Sequence, residues 1–146
     1  MNGLKIIRKV GAGVVVCRPG ELGAQEVLLV RRRSDGLWDV PGGGRAWSEW
    51  NALAARRELR QGTGLRVGRL GRLGVWGGPL QRQLSPDGET VDWTRHVFVA
   101  AYQGGQPVAR EDAAEVAWWP LDALPAEVSP ATAGYFRALR ARGQPT

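Results

Sequence analysis

A single cysteine, Cys17, occurs in the 146 residues, so no disulfide can form within the chain. It sits in the run Gly13-Val14-Val15-Val16-Cys17, where an unpaired thiol reads as a buried structural residue rather than a nucleophile. The cytoplasm is the expected setting. No apolar run approaches the ~20 residues that a membrane-spanning helix needs. Met1 to Lys9 also lacks the continuous apolar core of a secretory signal, so no membrane association is expected. Lysine is scarce: of twenty basic residues only Lys5 and Lys9 are lysines. The arginines behind the net charge of +6 are scattered rather than gathered into one basic tract. With no aromatic-interleaved binding module beside them, a dedicated nucleic-acid binder is disfavoured, whereas small anionic ligands are favoured. The one histidine, His96, lies in an apolar stretch and reads as a packed side chain rather than a general base. No 20–50-residue repeat is visible.

What is present suits one domain spanning 1–146, long enough to bury a substantial core. Residues 4–9, 12–17 and 26–31 are short β-branched or apolar runs and predict strands, with a polar turn at 20–25. Trp38 to Gly44 leaves a strand through Pro41 and three glycines. Ser48 offers a helix N-cap with Glu49 in the first turn. That helix is expected to run to about Gln61, stopped by Gly62 and Gly64, with Trp50, Leu53 and Ala54 as its buried stripe. Further strand character follows over 65–76, a polar loop over 81–89, and strands over 91–102 and 114–119. Residues 130–142 close with an amphipathic helix. This order predicts an α/β (α+β) sandwich.

The stretch Gly43 to Leu65 carries the functional signal. Gly43, Glu49, Arg57, Glu58, Leu59, Gly64 and Leu65 occupy seven of nine positions in the pattern Gly, five residues, Glu, seven residues, Arg-Glu-aliphatic, one residue, Glu-Glu, one residue, Gly-aliphatic. Gln61 and Gly62 stand where that pattern has adjacent glutamates. The segment resembles the Nudix box, the signature of hydrolases that cut nucleoside diphosphates linked to another moiety. Leu37 to Gly43 is similar to the family's lead-in, and Trp118 to Pro125 to its exit from the last strand. The resemblance covers roughly residues 8 to 142 and implies a Nudix-like sandwich, a mixed central sheet between helices.

Hydrolysis of a pyrophosphate link needs a water in line with phosphorus and an offset for charge on the phosphate oxygens, which Mg²⁺ or Mn²⁺ supplies. Such hard cations want oxygen ligands. Positions 58, 61 and 62 share one helix face, so three glutamates there would form an acidic metal patch. This chain keeps Glu58, while Gln61 retains only a neutral carbonyl and Gly62 offers no side chain. The resemblance makes Gly42 a backbone metal ligand, Glu58 a metal ligand or general base, Gln61 a weak ligand, and Glu49 with Arg57 a structural pair. Eight-residue spacing keeps Glu49 and Arg57 apart unless the loop folds back. A further acid before the last strand is expected to complete the site as ligand or base. Glu111, Asp112 and Glu115 are the candidates, with Glu111 and Glu115 favoured.

For the ligand, the candidates are Arg33 and Trp93. Arg31-Arg32-Arg33 lies at a strand end, where at most two side chains converge on one phosphate. Among Trp47, Trp93 and Trp118, Trp93 lies nearest the expected cleft as a stacking surface for a nucleobase; the seven tryptophans also suit a core or a dimer interface. Family members are often homodimers, and the same expectation extends to this chain. Two functions follow: a metal-dependent pyrophosphohydrolase, or a catalytically inactive module that senses or sequesters a nucleotide on the same fold.

Overall fold

Val14, Val15 and Val16 are all fully buried. Successive strand side chains point to opposite faces, so this strand must be covered on both sides. The computed structural model, which describes residues 6–85 and 87–142, shows how. The strand is β1 (Ile6–Pro19), the centre of a sheet that also contains β2 (Gln25–Arg32), β3 (Trp38–Asp39), β4 (Gly42–Gly44), β5 (Gly71–Trp76), β6 (Arg82–Leu84), β7 (Thr90–Ala101) and β8 (Ala113–Pro120). The spine runs β3-β2-β1-β7-β5, with β4 on β1, β6 on β7 and β8 on β2. The β1–β7 pairing is parallel, from Ile6 opposite Thr90 to Cys17 opposite Ala101, and the other pairings are antiparallel. Residues 4 and 5 of the expected first strand lie outside the described residues, as does Pro86 of the expected turn.

Two helices cover the sheet: α1 (Asn51–Thr63) and α2 (Thr132–Arg142). Under α1, Val14 and Val16 of β1, Leu28 of β2 and Phe98 and Ala100 of β7 pack on Ala54, Ala55 and Leu59. On the opposite face Val15, Val27, Leu29 and Val97 pack on Tyr135, Phe136 and Leu139 of α2. The alternation along three strands sorts one set of apolar residues into two cores, and the expected mixed sheet between helices is what forms.

Helix α1 corrects the sequence reading in three places. Its buried face is Ala54, Ala55, Leu59 and Thr63, whereas Trp50 and Leu53 are 79% and 55% exposed. Small alanines let the helix axis close on the central strand, which a tryptophan at that face would prevent. The cap position is Trp50, without a side-chain cap, rather than Ser48, and Glu49 precedes the helix. The helix passes through Gly62 to Thr63 and ends on Gly64, whose left-handed backbone (φ 76°) donates N–H to the Arg60 carbonyl at 2.8 Å. Elsewhere, the expected 65–76 strand region is ordered as strand only over Gly71–Trp76, and β6 forms inside the expected polar loop because it pairs with β7.

Cys17 is partly buried, and burial pushes its thiol up to about 11, with Arg142 opposing. At pH 8 the folded thiol therefore holds about a hundredfold less thiolate than a thiol at 9.0. Iodoacetamide labelling, followed by mass spectrometry at pH 8, is expected to be slower by that order in native protein than in urea-unfolded protein. Equal rates would contradict the buried, inert assignment.

Candidate active site

Arg57 organises the site from the first turns of α1. Its Nε and Nη2 donate to the two carboxylate oxygens of Glu49 at 2.7 and 2.8 Å, a bidentate pair. Nη1 donates to Glu58 Oε1 at 2.8 Å and to Gln61 Oε1 at 3.1 Å, and Nη2 also reaches the Gly44 carbonyl at 3.0 Å. The eight-residue gap to Glu49 closes because residues 46–49 turn back: Glu49 N–H donates to the Ala46 carbonyl and Glu49 Oε1 accepts from Ala46 N–H. These contacts hold the Glu49 carboxyl down at about 2, the Arg57 hydrogen bonds being the largest cause.

Glu58 leans from this network onto the glycine lead-in. A Cβ placed on Gly43 would come within 2.5 Å of the Glu58 carboxyl carbon, so the glycine backbone is the seat of that carboxylate. Gly42 is confined from the other side, where a Cβ would meet the Ala12 carbonyl at 2.6 Å. Burial pushes the Glu58 carboxyl up from its usual range, Arg57 opposes this, and the negative charge of Glu111 adds to it. Glu58 and Glu111 both line one cleft.

That cleft has a volume of about 570 Å³ and is lined by Gly42, Gly43, Glu58, Gly62, Trp93 and Glu111, among others. Arg32 and Arg33 also line it. The β2–β8 register shifts between Arg31 and Arg32, and this irregularity turns Arg32 and Arg33 to the cleft while Arg31 pairs with Glu115. The two that line the cleft are adjacent, whereas regular alternation would have brought Arg31 and Arg33 to one side. Arg33 Nε donates to the Glu111 carbonyl at 3.0 Å, and Arg33 N–H to the Asp112 carbonyl at 2.9 Å. The turn bearing Glu111 is thereby pinned to the end of β2.

Two expected site residues are not brought in. Glu115 is taken by Arg31 and does not line the cleft. Gln61 does not line it either, because its carbonyl accepts from Arg57. Trp47 is 91% exposed on the 46–49 turn. Trp118 packs edge-on against Tyr102 with Arg18 stacked on it at 4.1 Å. His96 is outside the cleft, and burial, with Arg45 and Arg72, keeps it below its ordinary value. Trp93, by contrast, lies on the floor made by Gly11 and Gly44, where added Cβ atoms would meet its ring at 3.1 and 3.6 Å.

The structure adds residues that motif reading missed. Asp39, buried in the lead-in, accepts from Arg32 at 2.6 Å and from Val40 N–H at 2.7 Å, and burial pushes its carboxyl up. Arg95 donates to Gln81 and Gln83 at 2.9 and 2.5 Å, and Gln81 also accepts from the buried Tyr135 hydroxyl at 2.9 Å. Arg95 was within reach of sequence reasoning, since it shares a strand face with Trp93 at i, i+2.

Glu111 is the one described non-glycine residue with positive φ, at 53°. A left-handed backbone costs an L-residue of order 1 kcal/mol. Glu111→Gly is expected to leave the melting temperature unchanged or raise it by a few degrees, read by calorimetry. A fall of several degrees would mean that the Glu111 side chain makes contacts that hold this turn.

The glycine-seated glutamate on a helix beside the cleft is the arrangement that the sequence pattern calls for, and the family model for the NUDIX domain matches residues 7–139. This chain belongs to the NUDIX domain family. It is similar, at 33% identity over 68% of its length, to a Bacillus subtilis (strain 168) protein named as a candidate 8-oxo-dGTP diphosphatase, of which the match covers 57%. At 34% identity over 68% of its length it is similar to a Mycobacterium tuberculosis (strain CDC 1551 / Oshkosh) protein named as a candidate mutator protein, MutT4, of which 39% is covered. The chain thus spans less than two thirds of these relatives. Among solved structures it is similar to a MutT NUDIX hydrolase from Burkholderia pseudomallei, with a TM-score of 0.75 and 27% identity, covering 90% of this chain and 98% of that one. Among the described residues, no helix of this NUDIX protein is long and apolar enough to cross a membrane.

Proposed function

We propose that this NUDIX protein hydrolyses a pyrophosphate bond in a nucleoside diphosphate derivative, with Glu58 and Glu111 as the carboxylates at the reacting centre. The observation that carries the reading is the Glu58 carboxylate seated on the Gly43 backbone, in a cleft that Glu111 also lines and that is large enough for a nucleotide.

The residues fit a divalent cation with few protein ligands. Among the described residues no group of three or more His, Cys, Asp or Glu side chains stands ready to hold one. Two carboxylates lining one partly buried cleft nevertheless repel one another, and a cation would relieve that repulsion. Mg²⁺ is commonly bound by one or two carboxylates, with waters and substrate phosphates completing the shell. Glu58, Glu111 and the carbonyl of Gly42 would hold Mg²⁺ or Mn²⁺, which when bound offsets charge on the phosphate oxygens. Gln61 is not included, because its carbonyl is held by Arg57.

The chain's own groups do the rest. Arg57 fixes the orientation of Glu58, and Glu49 fixes Arg57. Trp93 offers an aromatic face for the base, and Arg33 a charge for the phosphates. Water adds its oxygen to one phosphorus and gives up a proton to a carboxylate of the cleft, Glu58 or Glu111, while the bridging P–O bond breaks and the leaving phosphate keeps the electron pair. A cytoplasmic setting is supported by the lone thiol, and a homodimer by the exposed Trp47 and Trp50. The test is a panel of 8-oxo-dGTP, other nucleoside triphosphates, ADP-ribose, dinucleoside polyphosphates and nucleotide sugars, assayed with Mg²⁺ or Mn²⁺ and with EDTA. Metal-dependent product from at least one class is expected; binding without product under all conditions would instead support a sensing or sequestering module.

A further inference from the structure

The charge lining the cleft is unusual for a site that would grip phosphates only through a metal ion. Five basic side chains line it among the described residues: Lys9, Arg32, Arg33, Arg95 and Arg110. Arg32 is ion-paired, to Asp35 and Asp39 at 2.8 and 2.6 Å. The other four meet no carboxylate in an ion pair among the described residues. Arg95 spends its donors on the neutral amides of Gln81 and Gln83, and Arg33 donates from Nε to a backbone carbonyl. Trp93 lies between two of these cations, with Lys9 Nζ 5.9 Å and Arg95 Cζ 4.8 Å from its ring. Of the acids lining the cleft, Asp39 shares Arg32 with Asp35 and Glu58 shares Arg57 with Glu49, while Glu111 and Asp112 meet no cation in an ion pair among the described residues.

The altered box explains how one of these cations is left uncompensated. Gly62 has nothing within 4 Å of where its Cβ would be, so the position is open space at the cleft wall. Arg110 comes up against this end of α1: its N–H donates to the Gly62 carbonyl at 3.0 Å, and its guanidinium rests on Gly64, 3.0 Å from a Cβ built there. Position 62 itself supplies no carboxylate with which Arg110 could pair. With glycine there, the change that removes an ion ligand also leaves a guanidinium with charge to offer an anion.

We propose that the cleft holds the phosphates of its ligand directly through Arg110, Arg33 and Lys9, so that binding does not require the divalent ion that cleavage requires. The inference rests on the nucleotide-cleft reading above and refines it: affinity and turnover depend on different groups. Guanidinium and ammonium groups bind phosphate oxygens through charge-assisted hydrogen bonds and need no metal bridge.

The experiment is isothermal titration calorimetry of the intact chain with α,β-methylene-ADP, whose bridging carbon prevents cleavage, in EDTA and in Mg²⁺. The dissociation constant in EDTA is expected within about threefold of that in Mg²⁺, and to weaken as NaCl is raised. Arg110→Gln is expected to weaken binding in EDTA roughly tenfold, the scale of one charge-assisted hydrogen bond. Because Arg110 also packs on the end of α1, Lys9→Gln on the exposed start of β1 serves as the second variant, with a similar loss expected. Binding seen only with Mg²⁺ would overturn the inference and leave the nucleotide-cleft reading standing. Parental affinity in both folded variants would also overturn it. No binding under either condition would remove both.

Discussion

Glu58→Gln is expected to lower kcat by about a thousandfold or more while leaving the fold intact. The amide has the shape of the carboxylate, and its carbonyl can keep the Arg57 Nη1 hydrogen bond that Glu58 Oε1 makes at 2.8 Å. What is lost is negative charge at the one place where the box helix presents it to the cleft. A general base is worth about 10²–10⁴-fold, and a carboxylate ligand to a catalytic cation acts on the same step. Steady-state assay with the best substrate of the panel, alongside thermal melts, reads the effect. A variant within about tenfold of the parent would place Glu58 outside the chemistry.

Gly43→Ala should damage both stability and turnover. The new methyl would stand 2.5 Å from the Glu58 carboxyl carbon, a separation that packed atoms do not adopt. Either Glu58 swings away and breaks its bond to Arg57, or β4 lifts from β1, where Gly43 is paired with Ala12. Overpacking of this kind costs about 1–3 kcal/mol, a fall of roughly 3–10 °C in Tm for a domain of this size. Displacing a reacting group by about 1 Å costs on the order of a hundredfold in rate. Gly44→Ala is the matched control, since its methyl would meet only the Trp93 ring at an ordinary 3.6 Å. If both variants behaved like the parent, the seating of Glu58 on this backbone would be wrong.

Strand identity was readable because buried strands are runs of Val, Leu and Phe whose alternation survives in sequence. The Gly64 stop was readable because a left-handed cap needs glycine. The buried face of α1 was not, because apolar periodicity counts Trp50 and Leu53, whereas contact with the sheet selects Ala54 and Ala55 for their small size. The site was half readable. The resemblance to the Nudix box pointed to Glu58 and to the Glu49–Arg57 pair, but not to Arg57 also occupying the carbonyl of Gln61. The choice between Glu111 and Glu115 depended on strand register, with Arg31 opposite Glu115, and register is a property of two distant segments rather than of either one.

The parallel union of β1 with β7 bears on how the molecule comes into being on the ribosome. The first long strand finds this parallel partner only once the chain from Pro19 to Thr90 has followed it, and α1 lies on residues from both. Pairings of such sequence separation are slow, since a long loop must be closed before any contact rewards it. A nascent chain halted ahead of Thr90 would hold the box helix with only part of its seat, its apolar side open to chaperones or to aggregation. The cleft is thus assembled only once β7 has been made.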